Sequence, residues 1–450
     1  MSALKKYSVI SLFSGAMGLD LGLHSTRYFN LLACVEKEPV FCQTIKANQA
    51  AGRLSEQVKI FEGDVNTISP EDILHATGLH PGELDILIGG PPCQSFSTAG
   101  KRQSIQDHRG TLLWCFLAYV KILQPKFFLM ENVRGLLSAS LKHRKLAERP
   151  ESGGRQLSEV EQAGSVVRQF ASELNGIPDA SYRVDCFEVN AVNYGSPQIR
   201  ERVLFFGNRF NAQISFPTPT HVHPTNLDGQ LSLLENDKKP WNTLRNAIGD
   251  LRENNPELLD FSPRKKAFLD MVPQGGNWRC LPIEVQQKSM GKAFFAKGGR
   301  SGWWRRLSFD LPCPTLVTMP NHASTSLCHP QETRVLSVRE YARVQEFPDE
   351  WEFCGNTAEK YAQIGNAVPL RLGKIAGELL ARQLDELYER NFTRYNVTLN
   401  FFNIIYMQSH VRTRRWFKDG ESIVWNDGEL NNDVIYARPK TTKRISTVGA

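Results

Sequence analysis

Five apolar segments in the first third of the chain are each followed by a glycine, a carboxylate or a cysteine, and this pattern constrains the fold more than any other feature. Stretches with helical character separate the segments, as in doubly wound α/β sheets. Ligands of open α/β sheets bind in the crevice outside the carboxyl ends of the strands. The sequence therefore predicts a single ligand site at that edge of the sheet. The predicted strands cover residues 7–13, 31–35, 58–61, 85–89 and 126–130.

The fourth segment ends in Gly-Gly-Pro-Pro-Cys-Gln-Ser-Phe-Ser at residues 89–97. Two glycines and two prolines predict a sharp, rigid departure from the strand, with the thiol of Cys93 held towards a cleft. A lone cysteine more often packs as a small hydrophobic residue. The flanking turn residues favour a nucleophile here, and a nearby positive charge or base would help to form the thiolate.

Composition limits the class of protein. With 450 residues and 41% hydrophobic content, the chain can bury a large core and is expected to contain more than one domain. It has no apolar run of the roughly 20 residues that span a membrane, and residues 1–13 lack signal-peptide features. Nine cysteines without paired spacing predict a reduced, cytoplasmic protein with no disulfide framework and no metal site.

The net charge of +7 is unevenly distributed. Residues 208–325 contain 15 Lys and Arg against 10 Asp and Glu, and residues 391–450 contain 9 against 5. Basic character outside the predicted catalytic core suits a polyanionic partner, although surpluses of this size also occur on ordinary solvated surfaces.

Three further motifs accompany the Cys93 segment: Glu-Asn-Val-Arg-Gly at 131–135, Gln-Ile-Arg-Glu-Arg at 198–202 and Gln-Ile-Gly-Asn-Ala-Val at 363–368. Together the four motifs resemble the cytosine-5 DNA methyltransferase family, and the resemblance extends over most of residues 7–382. The resemblance implies S-adenosyl-L-methionine as methyl donor, duplex DNA as partner and no metal. It also implies that the Cys93 thiolate adds to C6 of a flipped-out cytosine, that C5 takes the methyl group, and that the C5 proton and then the thiolate leave.

The predicted cofactor site begins with the glycine-bearing turn after the first strand, which opens a helix N-terminus. Glu36 suits the ribose hydroxyls, and Asp64 suits the adenine amino group. Met17 stands where the family commonly has a glycine. Asn366 is also suited to cap a helix N-terminus, and both roles can coexist. The resemblance implies cofactor contacts at Phe13, Gly15, Gly18, Glu36, Asp64, Val65, Pro92, Leu112 and Asn366.

The predicted base pocket combines Glu131 with two arginines. A carboxyl group that binds N3 and the N4 amine of cytosine would recognise the base and ease attack at C6. Alternation along an extended segment places Arg200 and Arg202 on one side. The resemblance assigns Arg202 to the cytosine O2 and Arg200 to support of the catalytic loop. The alternatives are a helix-capping role for Glu131 and an ion pair at a strand edge for the arginines.

The predicted domain order is a catalytic domain in two parts, 1–207 and 326–390, around a smaller inserted target-recognition domain at 208–325. Residues 138–165 are expected to form a mobile surface insertion. Glu346 departs from the usual Gln-Gly-Phe-Pro of the family. Residues 391–450 lie beyond the resemblance, and either a DNA clamp or a structural appendage packed on the core fits them.

The sequence thus predicts an α/β, doubly wound, mixed-sheet enzyme: a site-specific DNA (cytosine-5)-methyltransferase that acts as a monomer on DNA. Its architecture suggests a prokaryotic modification enzyme paired with a restriction endonuclease. One alternative is a tRNA methyltransferase of the same fold, although a long recognition region with Trp and Arg favours duplex DNA. The other is a non-catalytic DNA-binding relative, which the presence of Cys93, Glu131, Gln198, Arg200 and Arg202 together argues against.

Overall fold

The structure is a computed structural model that describes residues 6–92, 112–178, 180–224, 238–295, 300–389, 402–407, 413–418 and 421–426. Its central feature is an eight-stranded sheet. The strands are β1 (Tyr7–Leu12), β2 (Phe29–Glu36), β3 (Lys59–Glu62), β4 (Ile86–Gly89), β5 (Phe127–Asn132), β6 (Arg183–Asn190), β8 (Glu201–Asn208) and β12 (Phe402–Tyr406). Their order in the sheet is β12-β6-β8-β5-β4-β1-β2-β3.

The sheet is mixed, as the sequence predicts. Strand β8 is antiparallel to both of its neighbours, β5 and β6, and all other neighbouring strands are parallel. The first five predicted strands correspond to β1 to β5, and no bound differs by more than two residues. Strand β6 was not predicted.

Helices cover both faces of the sheet. The helices are α1 (Gly18–His24), α2 (Pro39–Ala50), α3 (Pro70–Thr77), α4 (Leu112–Leu123), α5 (Ser165–Asn175), α6 (Leu244–Ile248), α7 (Pro263–Leu269), α8 (Ile283–Met290), α9 (Val338–Val344), α10 (Thr357–Asn366) and α11 (Leu370–Glu389).

Alternation along the strands divides the core into two layers. In β5, Phe127 and Leu129 pack on the face covered by α1 and α11. Phe128 and Met130 pack on the opposite face with α3, α4 and α5. Since both faces are buried, the strands read as continuous apolar runs, and this explains why they were recognisable in the sequence.

The segment from 208 to 325 contains α6, α7 and α8 and the short strands β9 (His221–Val222), β10 (Lys239–Pro240) and β11 (Cys313–Pro314). Strand β11 pairs with β7 (Gln198–Ile199). A hydrophobic cluster joins most of its buried apolar residues, such as Trp278 and Leu316, to α9 and α10 and reaches Met17 at the start of α1. The segment therefore shares its core with the rest of the chain.

Residues 138–165 contain a buried ion pair between Arg144 and Glu161, whose side chains are 6% and 4% exposed. The Arg144 guanidinium also donates to the carbonyls of Arg155 and Gln156. Hydrogen bonds from Ser158 and Arg144 lower the pKa of the Glu161 carboxyl to about 2. A buried charged pair thus links two parts of the expected surface insertion. The sequence of this segment has no apolar period and did not reveal the pair.

The described parts of the C-terminal extension form one edge strand of the central sheet and one hairpin. Strand β12 pairs in parallel with β6, and Ile405 and Met407 are buried against the central sheet. Strands β13 (Thr413–Lys418) and β14 (Glu421–Asn426) form an antiparallel pair. Of the two roles that fit this region, the structural one applies to β12.

Candidate active site

The residues predicted for the cofactor and the base converge on one cavity of about 810 Å³. It opens at the carboxyl ends of β1, β2, β4 and β5, as expected for a doubly wound sheet. Cys93 and the following loop lie outside the described residues. The predicted site residues that line the cavity are Phe13, Gly15, Gly18, Glu36, Asp64, Val65, Pro92, Leu112, Glu131, Arg200, Arg202 and Asn366.

Glu36 ends β2 with its carboxylate held by three backbone amides. One oxygen accepts from Gly15 at 2.6 Å, and the other accepts from Lys37 at 2.8 Å and Glu38 at 2.9 Å. Burial raises the pKa of the Glu36 carboxyl, and the amides oppose this shift. The oxygen bonded to Gly15 keeps acceptor capacity for a ligand hydroxyl.

Asp64 supplies a second carboxylate at the same end of the cavity. It accepts from the backbone and side-chain nitrogens of Asn66 and lies 2.9 Å from the Lys37 ammonium. The Asn66 amide, with Lys37, lowers the pKa of the Asp64 carboxyl to about 2. An ionised acceptor beside the apolar Val65 and Leu112 suits a flat, amino-bearing ring.

The turn between β1 and α1 explains the Met17 departure. Phe13, Gly15 and Met17 have φ values of 56°, 55° and 68°, in the left-handed region that favours glycine. Met17 adopts this conformation while its side chain is fully buried in the core. The positive φ is therefore retained without glycine, and burial of the Met17 side chain offsets the strain.

Gly18 lines the cavity and also permits close packing. A Cβ atom at this position would lie 2.4 Å from the Val368 carbonyl oxygen, which is far closer than any side chain can approach. The absence of a side chain brings the start of α1 against the segment between α10 and α11. Asn366, at the end of α10, is thereby brought to the cavity.

At the other end of the cavity, Glu131 and Arg202 form an ion pair. The Arg202 Nε lies 2.5 Å from Glu131 Oε1, and their side chains are 11% and 12% exposed. The second carboxylate oxygen, Oε2, lies near Gly90, which directly follows β4. Because β4 and β5 are adjacent and parallel, Glu131 faces the strand end that leads to residue 93.

Arg200 is buried, 2% exposed, and joins three parts of the chain. It donates to the Leu316 carbonyl at 3.1 Å and the Gly365 carbonyl at 2.8 Å. Burial lowers the pKa of its guanidinium. Arg200 thus ties the end of the 208–325 segment to α10. Its predicted support of the catalytic loop falls on residues outside the described part of the chain.

Two features of the site were missed. Asp20, on α1, lines the cavity, and its Oδ1 has no hydrogen-bond partner among the described residues. Burial raises the pKa of Asp20 to about 6. The sequence signal that could have identified Asp20 is its position as a single carboxylate within the apolar sequence Leu-Asp-Leu-Gly-Leu at 19–23. Gln345 hydrogen-bonds Gln198 and the carbonyls of Ile364 and Ala367. It stands in the same family motif as Glu346, but its contacts were not predicted.

Glu346, the second departure from the family pattern, resembles Met17 in its backbone conformation. Its φ is 69°, so the backbone again keeps a glycine-like conformation. The Glu346 carboxylate accepts from the Arg371 amide at 3.2 Å and from its guanidinium at 3.0 Å. A charged partner at the start of α11 thus offsets the strain.

A family model, C-5 cytosine-specific DNA methylase, matches residues 7–381. The chain belongs to this family. The family uses S-adenosyl-L-methionine. In this cytosine-5 DNA methylase, every described residue of the predicted cofactor and base sites lines the cavity.

Curated relatives support this assignment. The methylase is 35% identical to the Type II methyltransferase M.PspPI of a Psychrobacter strain, over 85% of this chain and 80% of that protein. It is 35% identical to M.Eco47II of Escherichia coli, over 85% and 81%. It is 34% identical to M.Sau96I of Staphylococcus aureus, over 85% and 77%.

The fold is also that of a solved structure. A prophage-encoded DNA modification methyltransferase from Escherichia coli aligns with a TM-score of 0.53 and 23% identity, covering 84% of this chain and all of that one. Within the described residues, no helix is long and apolar enough to cross a membrane. The same residues contain no group of three or more His, Cys, Asp or Glu side chains placed to hold a metal ion.

Proposed function

We propose that this DNA cytosine-5 methyltransferase is a site-specific modification enzyme that transfers the methyl group of S-adenosyl-L-methionine through a covalent Cys93–cytosine adduct. The proposal rests on one observation: a single cavity has different functional groups at its two ends. One end has the carboxylates of Glu36 and Asp64, and the other has the Glu131–Arg202 pair.

The first end fits the methyl donor. In this proposal Glu36, whose carboxylate accepts from three backbone amides, also accepts from the ribose hydroxyls, and Asp64, which lines the same cavity, accepts from the adenine amine. Val65 and Leu112 supply apolar contacts for the ring. When bound, S-adenosyl-L-methionine supplies an electrophilic methyl group.

The second end fits a cytosine rotated out of the duplex, at a cost of a few kcal/mol. Glu131 accepts from the N4 amine and shares a proton with N3, while Arg202 donates to O2. These contacts draw electron density from C6. The Cys93 thiolate then forms a bond to C6, and the ring electrons move to C5, which becomes the nucleophile for the methyl group.

After methyl transfer, C5 carries both a proton and the new methyl group. A base removes the proton, the electron pair restores the C5–C6 double bond, and the thiolate leaves C6. Arg200 acts indirectly in this proposal, because its contacts are to the Leu316 and Gly365 carbonyls. It positions the 208–325 segment against α10 and the base pocket.

The biological role follows from the relatives. Type II methyltransferases at 34–35% identity support a role in protecting host DNA from a partner restriction endonuclease. We propose that residues 208–325 read the recognition site in the major groove, that residues 1–207 and 326–390 form the catalytic domain, and that the enzyme acts as a monomer on DNA.

Trapping on 5-fluorocytosine tests the chemistry. Bisulfite sequencing of DNA from expressing cells first identifies the methylated site. A duplex with 5-fluorocytosine at the target should then yield a covalent complex with the wild type, because fluorine cannot leave as a proton does. Cys93→Ser should bind the duplex, form no complex and transfer no methyl group. Normal turnover by Cys93→Ser, or preferential methylation of tRNA by the wild type, would overturn the proposal.

A further inference from the structure

The C-terminal extension lies outside the matched family region, which ends at residue 381. Its described parts are β12 and the β13–β14 hairpin. The family assignment therefore gives these elements no role. The register of the central sheet shows where β12 lies relative to the base pocket.

Strand β12 runs towards the active-site edge of the sheet. Ile405 pairs with Phe187 of β6, Phe187 pairs with Leu204 of β8, and Leu204 pairs with Glu131 of β5. Ile405 is therefore level with the glutamate of the base pocket, three strand spacings away. At about 4.8 Å per spacing, this separation is about 14 Å.

The direction of the strand matters as much as its position. Strand β6 is antiparallel to β8, which is antiparallel to β5, so β6 and β5 point the same way. Strand β12 is parallel to β6 and ends at Tyr406, level with Asn132 at the carboxyl end of β5. The chain thus leaves the sheet at the edge where the target base must enter.

Covalent geometry keeps the hairpin near this edge. Thr413 follows Tyr406 by seven positions, and a fully extended chain of that length spans about 25 Å. A separation of 14 Å corresponds to the rise of about four base pairs of duplex DNA. The hairpin is therefore tethered within reach of the flanking duplex.

The composition of the hairpin suits a phosphate backbone. Strand β13 contains three basic residues, Arg414, Arg415 and Lys418, two aromatic residues and no acidic residue. Strand β14 contains one acidic residue, Glu421, which pairs with Lys418 in the register. Arg and Lys interleaved with aromatic residues are typical of nucleic-acid-binding surfaces.

We propose that the β13–β14 hairpin binds the phosphate backbone of duplex DNA on one side of the target cytosine, several base pairs away. Strand β12 anchors the hairpin through the buried Ile405 and Met407. Such contacts add affinity without sequence preference. The inference rests on DNA being the substrate, and methyl transfer is therefore measured alongside binding.

The test is a triple variant, Arg414→Gln, Arg415→Gln and Lys418→Gln, which leaves β12 intact. The matched control replaces three exposed basic residues of β3 and α11, namely Lys59→Gln, Lys374→Gln and Arg382→Gln. Affinity is measured between about 50 and 200 mM salt on two duplexes carrying the target site. The longer duplex extends about 20 base pairs on each side, and the shorter one extends about three.

On the longer duplex, the hairpin variant should bind about 10-fold more weakly at 0.1 M salt. Its plot of log affinity against log salt should be shallower by roughly 1 to 3, since each lost phosphate contact removes about 0.9 from the slope. On the shorter duplex it should match the wild type. Its single-turnover methylation rate at saturating DNA should be unchanged, which also shows that the variant is folded.

The inference would be overturned if the hairpin variant kept wild-type affinity and salt slope on the longer duplex, or if it lost as much affinity on the shorter duplex as on the longer one. It would also be overturned if the control variant lost as much affinity as the hairpin variant. Failure of the underlying function is distinguishable, because the wild type itself would then methylate neither duplex.

Discussion

Glu36 and Glu131 both lie at the carboxyl ends of parallel strands of the sheet, but their partners differ in kind. Glu36 is held by neutral backbone amides, whereas Glu131 is paired with the Arg202 guanidinium. The proposed roles differ accordingly, since Glu36 holds the methyl donor and Glu131 acts on the base. Amide replacement at each position separates these roles without a large change in shape.

We expect Glu131→Gln to reduce turnover on the order of 10²- to 10⁴-fold, the usual contribution of a positioned acid–base group, with S-adenosyl-L-methionine affinity unchanged. The matched variant Glu36→Gln should weaken S-adenosyl-L-methionine binding by roughly 10- to 100-fold, because a charged acceptor is lost. Equilibrium binding of the methyl donor and single-turnover rates give the two readouts. Weakened donor binding in Glu131→Gln alone would place Glu131 at the wrong end of the cavity.

Asp20 predicts a pH dependence of stability. Burial raises its pKa in the folded protein to about 6, whereas the unfolded value is about 3.9. Its favourable contribution is therefore complete below about pH 4 and is lost as the pH rises through 6. Asp20→Asn cannot ionise, so it should be more stable than the wild type at pH 8 by on the order of 2 kcal/mol.

The comparison of Asp20→Asn with the wild type is made by denaturant unfolding at pH 4, 6 and 8 without the methyl donor. The advantage of the variant should shrink towards zero at pH 4. Asp72→Asn, at an exposed position on α3, controls for the loss of one negative charge. An advantage of the same size at all three pH values would mean that ionisation of Asp20 is not its cause.

Among elements, α10 links the cofactor end of the cavity to the 208–325 segment. The Gly365 carbonyl accepts from Arg200, and a Cβ atom at Gly365 would lie 2.7 Å from the Val317 carbonyl oxygen. Gly365→Ala should therefore push α10 away from Val317 and displace Asn366. We expect a loss of stability of about 1–3 kcal/mol and weaker S-adenosyl-L-methionine binding.

Thermal unfolding and binding titrations of Gly365→Ala provide the measurements. Gly52→Ala is the control, because Gly52 is exposed, has nothing within 4 Å of its Cβ position and has a positive φ. It should lose about 1 kcal/mol of stability and keep full affinity. Unchanged donor affinity in Gly365→Ala would show that α10 does not position Asn366.

Four of the five strands predicted in the first third of the chain, β1, β2, β4 and β5, are largely buried and mostly apolar on both faces. Strand β6 escaped detection because it is fully buried yet contains Arg183, Asp185 and Glu188. Arg183 lies 3.0 Å from Asp185, and Glu188 lies 3.0 Å from Arg134. Paired charges make burial possible without leaving an apolar pattern. For the same reason, the contacts of Arg200 could not be derived from its place in an extended segment.

At the scale of the whole molecule, the shared core of the 208–325 segment bears on any exchange of specificity. Replacing this segment with that of a relative of different specificity should change which cytosine is methylated, as read by bisulfite sequencing. The chimera should also be less stable, because Trp278 and Leu316 pack in a cluster that includes α9 and α10. A folded chimera that methylates the original site would show that recognition resides elsewhere.

Some arginines within the 208–325 segment should have a structural role, so that their replacement by alanine disturbs packing. Arg306 is buried and donates to the carbonyls of Val272, Leu269 and His329. Such an arginine supports the proposed recognition region through backbone contacts, and its side chain is occupied by them. The doubly wound sheet was predictable because its periodicity is local. The packing of the 208–325 segment was not, since its many short elements leave no period to detect.

The position of β12 has a consequence for the order of folding. Strand β6 forms the edge of the sheet until β12 pairs with it, and the paired residues Val184 and Phe402 are roughly 200 positions apart. At about 5–20 residues per second, a ribosome needs about 10–40 s to synthesise the intervening chain. During that time β6 is unpaired on one side, where another strand can bind. Pairing with β12, which then becomes the edge strand, shields the fully buried β6. Polypeptides that end before residue 402 should therefore aggregate more readily than the longer chain.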